Sequence, residues 1–429
     1  MEPSTITLII IGITLILYIT ERIPIATTSV IACLAFAIAG VIPMHTAFAG
    51  FGNDVVFLIM GMMIVGSALY ETGVAQLVGE KIISLVGANV RLFSATIIVA
   101  SVGIGVFLNN SATAALMLPI AASAIAASKG VLSKKNTFMM VGIAVCISGG
   151  IALVGSPPNL IAHAFLLEHD YGGFSFFELG KFGLPIMFLA LAFFLTIGMK
   201  LQKKVFNFLE TADDAAQAAH SASAAKIDAP PRSKVKMVLS VAILAFCIVG
   251  LISEWWRPGI VAMVGAVLCV VTGCLSQKKV FQKMDWTTIV IMGCSFGFAA
   301  ALEQSGAGRM IAGGMINILG NNLTPWLLFS ALALISMILT NFMSSTAAAS
   351  MLVPIAAFAA MEVGFDVRAA VMIIAVSTNI GYATPVSTPP MTMTLPAGYR
   401  FMDYVKVGGL FNLLAFLLVV ALIPIMFGL

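Results

Sequence analysis

The chain has little charge. Asp, Glu, Lys and Arg make up 9% of its 429 residues, and 60% are hydrophobic; a soluble domain carries about 25% charged residues. That scarcity excludes an ordinary water-soluble globule. The net charge of +4 does not point to nucleic acid, because the Lys and Arg fall in loops between apolar runs. No Asp, Glu, Lys, Arg or His needs to lie at mid-membrane, so the titratable relay of a proton-coupled carrier is missing. Glu71 and Glu303 end apolar runs and read as interfacial residues, while His163, alone in an apolar run, reads as a packing residue. The six cysteines (Cys33, Cys146, Cys247, Cys269, Cys274, Cys294) have no metal-ligand spacing and read as small core residues. No nucleophile-base or metal cluster marks an enzyme. Gly293-Cys294-Ser295-Phe296-Gly297 matches a nucleophile elbow in form but lies within an apolar span, without the strand-turn-helix context. No basic flank precedes the first apolar run, which reads as an uncleaved span rather than a signal peptide.

What the chain does have is apolar runs long enough to cross a bilayer, from end to end, and a polar phrase that occurs twice within them. LNNSATAALMLPI occupies 108–120 and FMSSTAAASMLVPI 342–355. Each is followed by a proline-pair loop, VGSPPN at 154–159 and VSTPPM at 386–391. Pro119 and Pro354 lie 235 residues apart, Pro157 and Pro389 232 apart. A near-constant offset over two motifs is an internal duplication. Glu71-Thr72-Gly73 matches Gln304-Ser305-Gly306 at an offset of 233, and 174–183 matches 399–408 at 225.

This reading predicts an all-α polytopic membrane protein with two repeats, 1–201 and 237–429, joined by a cytoplasmic linker at 202–236 that is rich in Ala, Ser and charge. The amphipathic start of that linker, Val205 to Leu209, reads as surface-lying. Each repeat has about five spans plus one re-entrant hairpin, whose two short apolar arms flank a polar tip (about 95–127 and 325–361). Each also has a span broken by its proline pair (about 138–167 and 369–397). An odd number of spans per repeat inverts the second relative to the first. With both termini outside, 18 of the 22 basic residues fall inside, leaving Lys181, Arg257, Arg309 and Arg368 outside, which agrees with the positive-inside rule. The two tips then meet near the midplane. There, half-helix N-termini attract anions and half-helix C-termini offer carbonyls to a cation. The side chains at the tips, amides and hydroxyls, serve either role.

The tips and proline pairs resemble those of the divalent anion/sodium symporter family of the ion transporter superfamily, and the resemblance spans essentially the whole chain. It implies a secondary active transporter of the cell (inner) membrane that carries a small divalent anion, a dicarboxylate or sulfate, in Na+-coupled symport. It also implies an elevator-type alternating-access mechanism and a homodimer. The substrate residues it implies are Asn110, Ser111, Ser156, Ser345, Thr346, Thr388 and Pro389. One Na+ would lie near Gly105, Asn109, Asn110 and Gly155, the other near Thr340, Ser344, Ser345 and Ser387. Where the family has Ser-Asn-Thr at each tip, this chain has Asn-Asn-Ser and Ser-Ser-Thr, and Met391 replaces the second loop's Asn. A Na+/H+ antiporter or arsenite-type carrier of the same superfamily is the alternative.

Overall fold

A computed structural model describes residues 2–74, 77, 90–128, 131–206, 233–253, 255–319 and 323–428. Their regular structure is entirely helical. Most of the linker, 207–232, lies outside the described residues, as do Lys81, Lys129, Lys226 and Arg232.

The first half runs through Pro3–Thr20, Ile25–Ile38 and Asp54–Glu71, then the pair Val90–Gly105 and Asn110–Ala127 around the first tip. Lys134–Gly149 and Pro157–Glu168 flank the first break, and Gly180–Val205 closes the half. The second half runs Lys234–Ile252, Pro258–Val271, Trp286–Gln304, Ala307–Leu319, then Pro325–Phe342 and Ser345–Glu362 around the second tip. Val367–Thr378 precedes the second break and Phe401–Phe427 ends the chain. Among the described residues, eight helices are long and apolar enough to cross a membrane. The repeated segments Glu71-Thr72-Gly73 and Gln304-Ser305-Gly306 are helix ends: Gly73 and Gly306 both take left-handed backbone (φ 86° and 73°), which glycine adopts without steric cost as it terminates a helix.

Burial sorts the helices into two shells. Asp54–Glu71, Trp286–Gln304 and Ser345–Glu362 are more than two-thirds buried, whereas Pro3–Thr20, Lys234–Ile252 and Phe401–Phe427 are less than one-third buried. The outer helices expose apolar side chains such as Ile16, Val235, Val238 and Leu417, a surface suited to lipid rather than water. The halves interlock. Asp54–Glu71 packs on Pro258–Val271 with Gly61 directly against the Ala262 backbone, where any side chain would collide. The Gly259 N–H also donates to Asp54 Oδ2 at 3.0 Å.

Four details differ from the sequence reading. The hairpin arms are not short: three of the four are 18 residues, about 27 Å at the helical rise. Ser345–Glu362 escapes lipid by being enclosed in protein. The amphipathic helix Ala307–Leu319 was not anticipated, because it is too short to register as a span. After the second break helix resumes only over Pro389–Thr392. Pro385, Pro389, Pro390 and Pro396 fall within 385–396; Pro389 and Pro390 are accommodated at the start of the short turn, but so many prolines do not allow one continuous helix. Finally, Phe206 does not lie on a surface; it is buried, its ring 5.0 Å from that of Tyr399.

Candidate functional site

The two tips and two breaks meet at one cavity of about 750 Å³. Asn110, Ser111, Ser156, Ser345, Thr346, Thr388 and Pro389 all line it, as do Asn109, Ser344 and Ser387. Of the expected cation ligands, Gly105, Gly155 and Thr340 lie behind this lining rather than in it. The N-termini of Asn110–Ala127, Pro157–Glu168 and Ser345–Glu362, and of the short turn Pro389–Thr392, therefore converge on one space. Helix N-termini present unpaired N–H groups and the positive end of the macrodipole. Pro157 and Pro389 stand at first helical positions, where a missing N–H costs nothing. The hydroxyls of Ser111, Ser156, Ser345 and Thr346 make no hydrogen bond among the described residues and remain available to a ligand.

Around the first break the packing is close enough to require glycine. A side chain at Gly105 would strike the Ser148 hydroxyl, and one at Gly149 would meet the Asn110 amide at 2.8 Å and Ser156 Cβ at 3.0 Å. Gly155 lies against the Ser148 and Gly149 carbonyl oxygens in the same way. Gly105, Asn110, Gly155 and Ser156 are thus brought together. Asn109 faces its own helix: its Oδ1 accepts the Ala112 N–H at 2.7 Å as an N-cap. The Asn110 Oδ1 is buried without a hydrogen-bond partner. A buried carbonyl oxygen left open is costly and suits a cation.

Around the second break most polar groups are satisfied, although the buried Ser377 hydroxyl oxygen has no partner. The Thr340 hydroxyl donates to the Thr378 carbonyl at 2.9 Å, and Ser387 Oγ bonds the Gly381 and Thr384 carbonyls. The Thr388 hydroxyl pairs with Cys146 Sγ at 3.1 Å, tying the second break to the first broken span. Ser344 starts its helix without a side-chain cap.

Several residues that hold or edge the site were not legible as such. Asn341 accepts the Ala383 N–H at 2.9 Å, its Nδ2 donates to the Met337 carbonyl, and its own carbonyl accepts from the Thr384 hydroxyl at 2.6 Å. Asn159, fully buried, donates to the Gly149 and Ala152 carbonyls at 2.6 and 3.0 Å and accepts from Asn379 Nδ2 at 2.9 Å. One amide pair thereby fixes both broken spans. The cavity rim is charged: Glu21, Lys283 and Asp285 line it. Lys283 is held by Glu71 at 3.9 Å and by the Tyr70 ring, 5.2 Å to its centroid. Glu71, at a helix end as expected, also pairs with Lys279. His163 does not reach this cavity. Ser295 lies inside a helix with its hydroxyl bonded to the Met292 carbonyl at 2.7 Å, not on an elbow.

A helical membrane bundle with two helix breaks converging on one cavity lined by polar residues defines a transporter class, and comparison with known proteins agrees. Residues 15–370 match the citrate transporter family, CitMHS, and the chain belongs to it. An uncharacterized transporter of Haemophilus influenzae is 27% identical over 96% of this chain and 90% of its own. The sodium-dependent dicarboxylate transporter SdcS of Staphylococcus aureus is 23% identical over 96% of this chain and 84% of its own. Among solved structures, MtrF of Neisseria gonorrhoeae superposes with a TM-score of 0.59 at 14% identity, covering 99% of this chain and 95% of that one, which shows the fold. The protein is a multi-pass membrane protein of a transporter family.

Proposed function

We propose that the chain is a Na+-coupled symporter of a small divalent anion, a dicarboxylate or sulfate. The observation that carries this is the convergence of helix N-termini and unspent hydroxyls on one cavity. The field of those termini favours an anion, and Ser111, Ser156, Ser345 and Thr346 supply directional donors to its oxygens. The volume is ample for a succinate- or citrate-sized ligand. Na+ is the second substrate. The open Asn110 oxygen and the carbonyls around Gly149 and Gly155 are hard oxygen donors of the kind Na+ takes. Cation binding there would neutralise those oxygens and draw the first tip to the first break, completing the anion site.

The Na+-dependent dicarboxylate relative supports the same reading. The sequence repeat, with its inverted orientation, supports alternating access by an elevator-like movement of the tips and broken spans against the outer helices. On this reading the protein is a homodimer in the cell (inner) membrane, with both termini outside and 202–236 cytoplasmic. An antiporter would need a buried carboxylate at the site; the carboxylates that line the cavity, Glu21 and Asp285, are both exposed.

Proteoliposome uptake of labelled succinate, citrate and sulfate, with and without an inward Na+ gradient, tests this. Saturable uptake of at least one, stimulated by Na+, is expected. Uptake of none would overturn the anion assignment, and uptake indifferent to Na+ would overturn the coupling.

A further inference from the structure

A second cavity, of about 830 Å³, lies against the first break. Leu153 lines it, whereas Ser156, just past the end of the same 3₁₀ turn Leu153–Gly155, lines the first cavity. The turn is the wall between them. Its Leu153 N–H donates to the Phe176 carbonyl at 2.8 Å, which joins the wall to the loop that forms the second cavity's floor.

The second cavity is cationic. Lys181, Arg257 and Arg368 line it against one carboxylate, Glu178. That carboxylate is already engaged: Arg368 Nη2 donates to its Oε2 at 2.6 Å, and Lys181 lies 3.9 Å from its Oε1. Arg257 has no carboxylate partner among the described residues. Among the described residues that line it, three cations against one anion leave a positive surplus in a walled space, where field lines are focused.

His163 provides an independent observation. It is 5% exposed and lines this cavity. Its Nδ1 accepts the Phe174 N–H at 2.9 Å, so the neutral ring carries its hydrogen on Nε2. That Nε2 is buried and has no hydrogen-bond partner. A buried donor without an acceptor is costly, and the acceptor a cationic cavity draws in is an anionic oxygen.

We propose that this cavity is a second anion-binding site, taking a carboxylate or sulfate oxygen on the His163 Nε2–H within the field of Arg257, Arg368 and Lys181. Its role as an antechamber to the transport site, across the Leu153–Gly155 wall, rests on the transport reading; the site itself does not.

The test is made on the full chain in proteoliposomes. The native cysteines are buried, and Phe177, exposed in the cavity lining, is replaced by cysteine (Phe177→Cys). Membrane-impermeant methanethiosulfonates of opposite charge then label it. With each rate normalised to that reagent's rate on a free thiol in solution, at low salt the anionic reagent is expected to react about tenfold faster than the cationic one, with the normalised ratio falling toward unity on adding Arg257→Gln or raising the salt. Sodium succinate, against sodium chloride at equal ionic strength, is expected to slow labelling. That protection should survive Asn110→Ala in the first cavity and disappear with His163→Ala or Arg257→Gln. Equal rates for both reagents, or protection abolished by Asn110→Ala and retained in Arg257→Gln, would overturn the proposal. Absent succinate uptake with these labelling results would count against the transport reading alone.

Discussion

At the first tip, Asn109 caps its helix while the neighbouring Asn110 keeps a buried oxygen without a partner. At the second, Thr340, Asn341 and Ser387 spend their polar groups on the backbone carbonyls and amides of the break beside them. The two halves share a sequence phrase and a helix order, yet differ in what is left over for a ligand. A site with an open acceptor is preorganised; binding there exchanges nothing. At the second tip, the Thr340 and Ser387 hydroxyls keep lone pairs for a cation, but the Thr378, Gly381 and Thr384 carbonyls they bond are partly spent. If both frames hold Na+ as proposed, the first half is expected to bind the tighter one.

The comparison breaks if the halves respond alike. Asn110→Ala removes the open oxygen and a lining side chain together. We expect Na+-driven uptake to fall about 100-fold, equivalent to about 2.7 kcal/mol, with a right-shifted Na+ dependence. Ser387→Ala, in contrast, is expected to cost only a few-fold and to lower the Hill coefficient for Na+, because the carbonyls which that hydroxyl bonds are already partly spent. Equal losses in the two variants would refute the asymmetry.

The bridge between the halves should matter more to stability than to ion choice. Asn159→Ala strips the Gly149 and Ala152 carbonyls of their donor and takes the acceptor from Asn379. Unsatisfied buried groups of this kind cost about 1–3 kcal/mol each, so a total of about 3 kcal/mol is reasonable after relaxation. The apparent Tm of the detergent-solubilised protein should drop by about 5 °C or more. Asn379→Ala alone should cost less, and the double variant little more than Asn159→Ala, since the two amides form one network. Additive losses would mean that the bridge does not act as a unit.

The cavity lining was legible because its residues break an otherwise apolar text. Asn109 to Ser111, Ser344 to Thr346 and the two proline pairs are conspicuous where almost everything else is Ala, Leu, Ile or Val. The repeat offset then pairs them. Residues that act at long range were not legible. Asn159 and Asn379 are 220 positions apart and are not equivalent within the repeat, so duplication could not pair them. Lys283 and Asp285 sit between two apolar stretches and read as loop; only the packing of their helices carries them to the cavity rim. His163 has no local signal of its own, since its meaning depends on the Phe174 N–H and on cations contributed by three distant segments. Ala307–Leu319 escaped because Gly313 and Gly314 weaken its helix signal and it is shorter than a span.

The mildest expected effect concerns Glu178 of the first half and Arg368 of the second, a contact between halves that lies outside the spans. Burial alone would raise the Glu178 carboxyl, but the Arg368 guanidinium and the Ser175 N–H outweigh it and hold the group below its usual value of 4.5. A depressed carboxyl stabilises the fold above the unfolded pKa and loses that contribution as the pH falls through the folded pKa. Arg368 is about one-third exposed, so solvent screening keeps the pair near 1 kcal/mol. Wild type and Glu178→Gln should therefore differ by a few degrees in apparent Tm at pH 7 and converge as the pH drops below 4.5. A gap that persists unchanged to acid pH would mean that the side chain acts there by shape and hydrogen bonding, and that its charge does not tie the first half to the second.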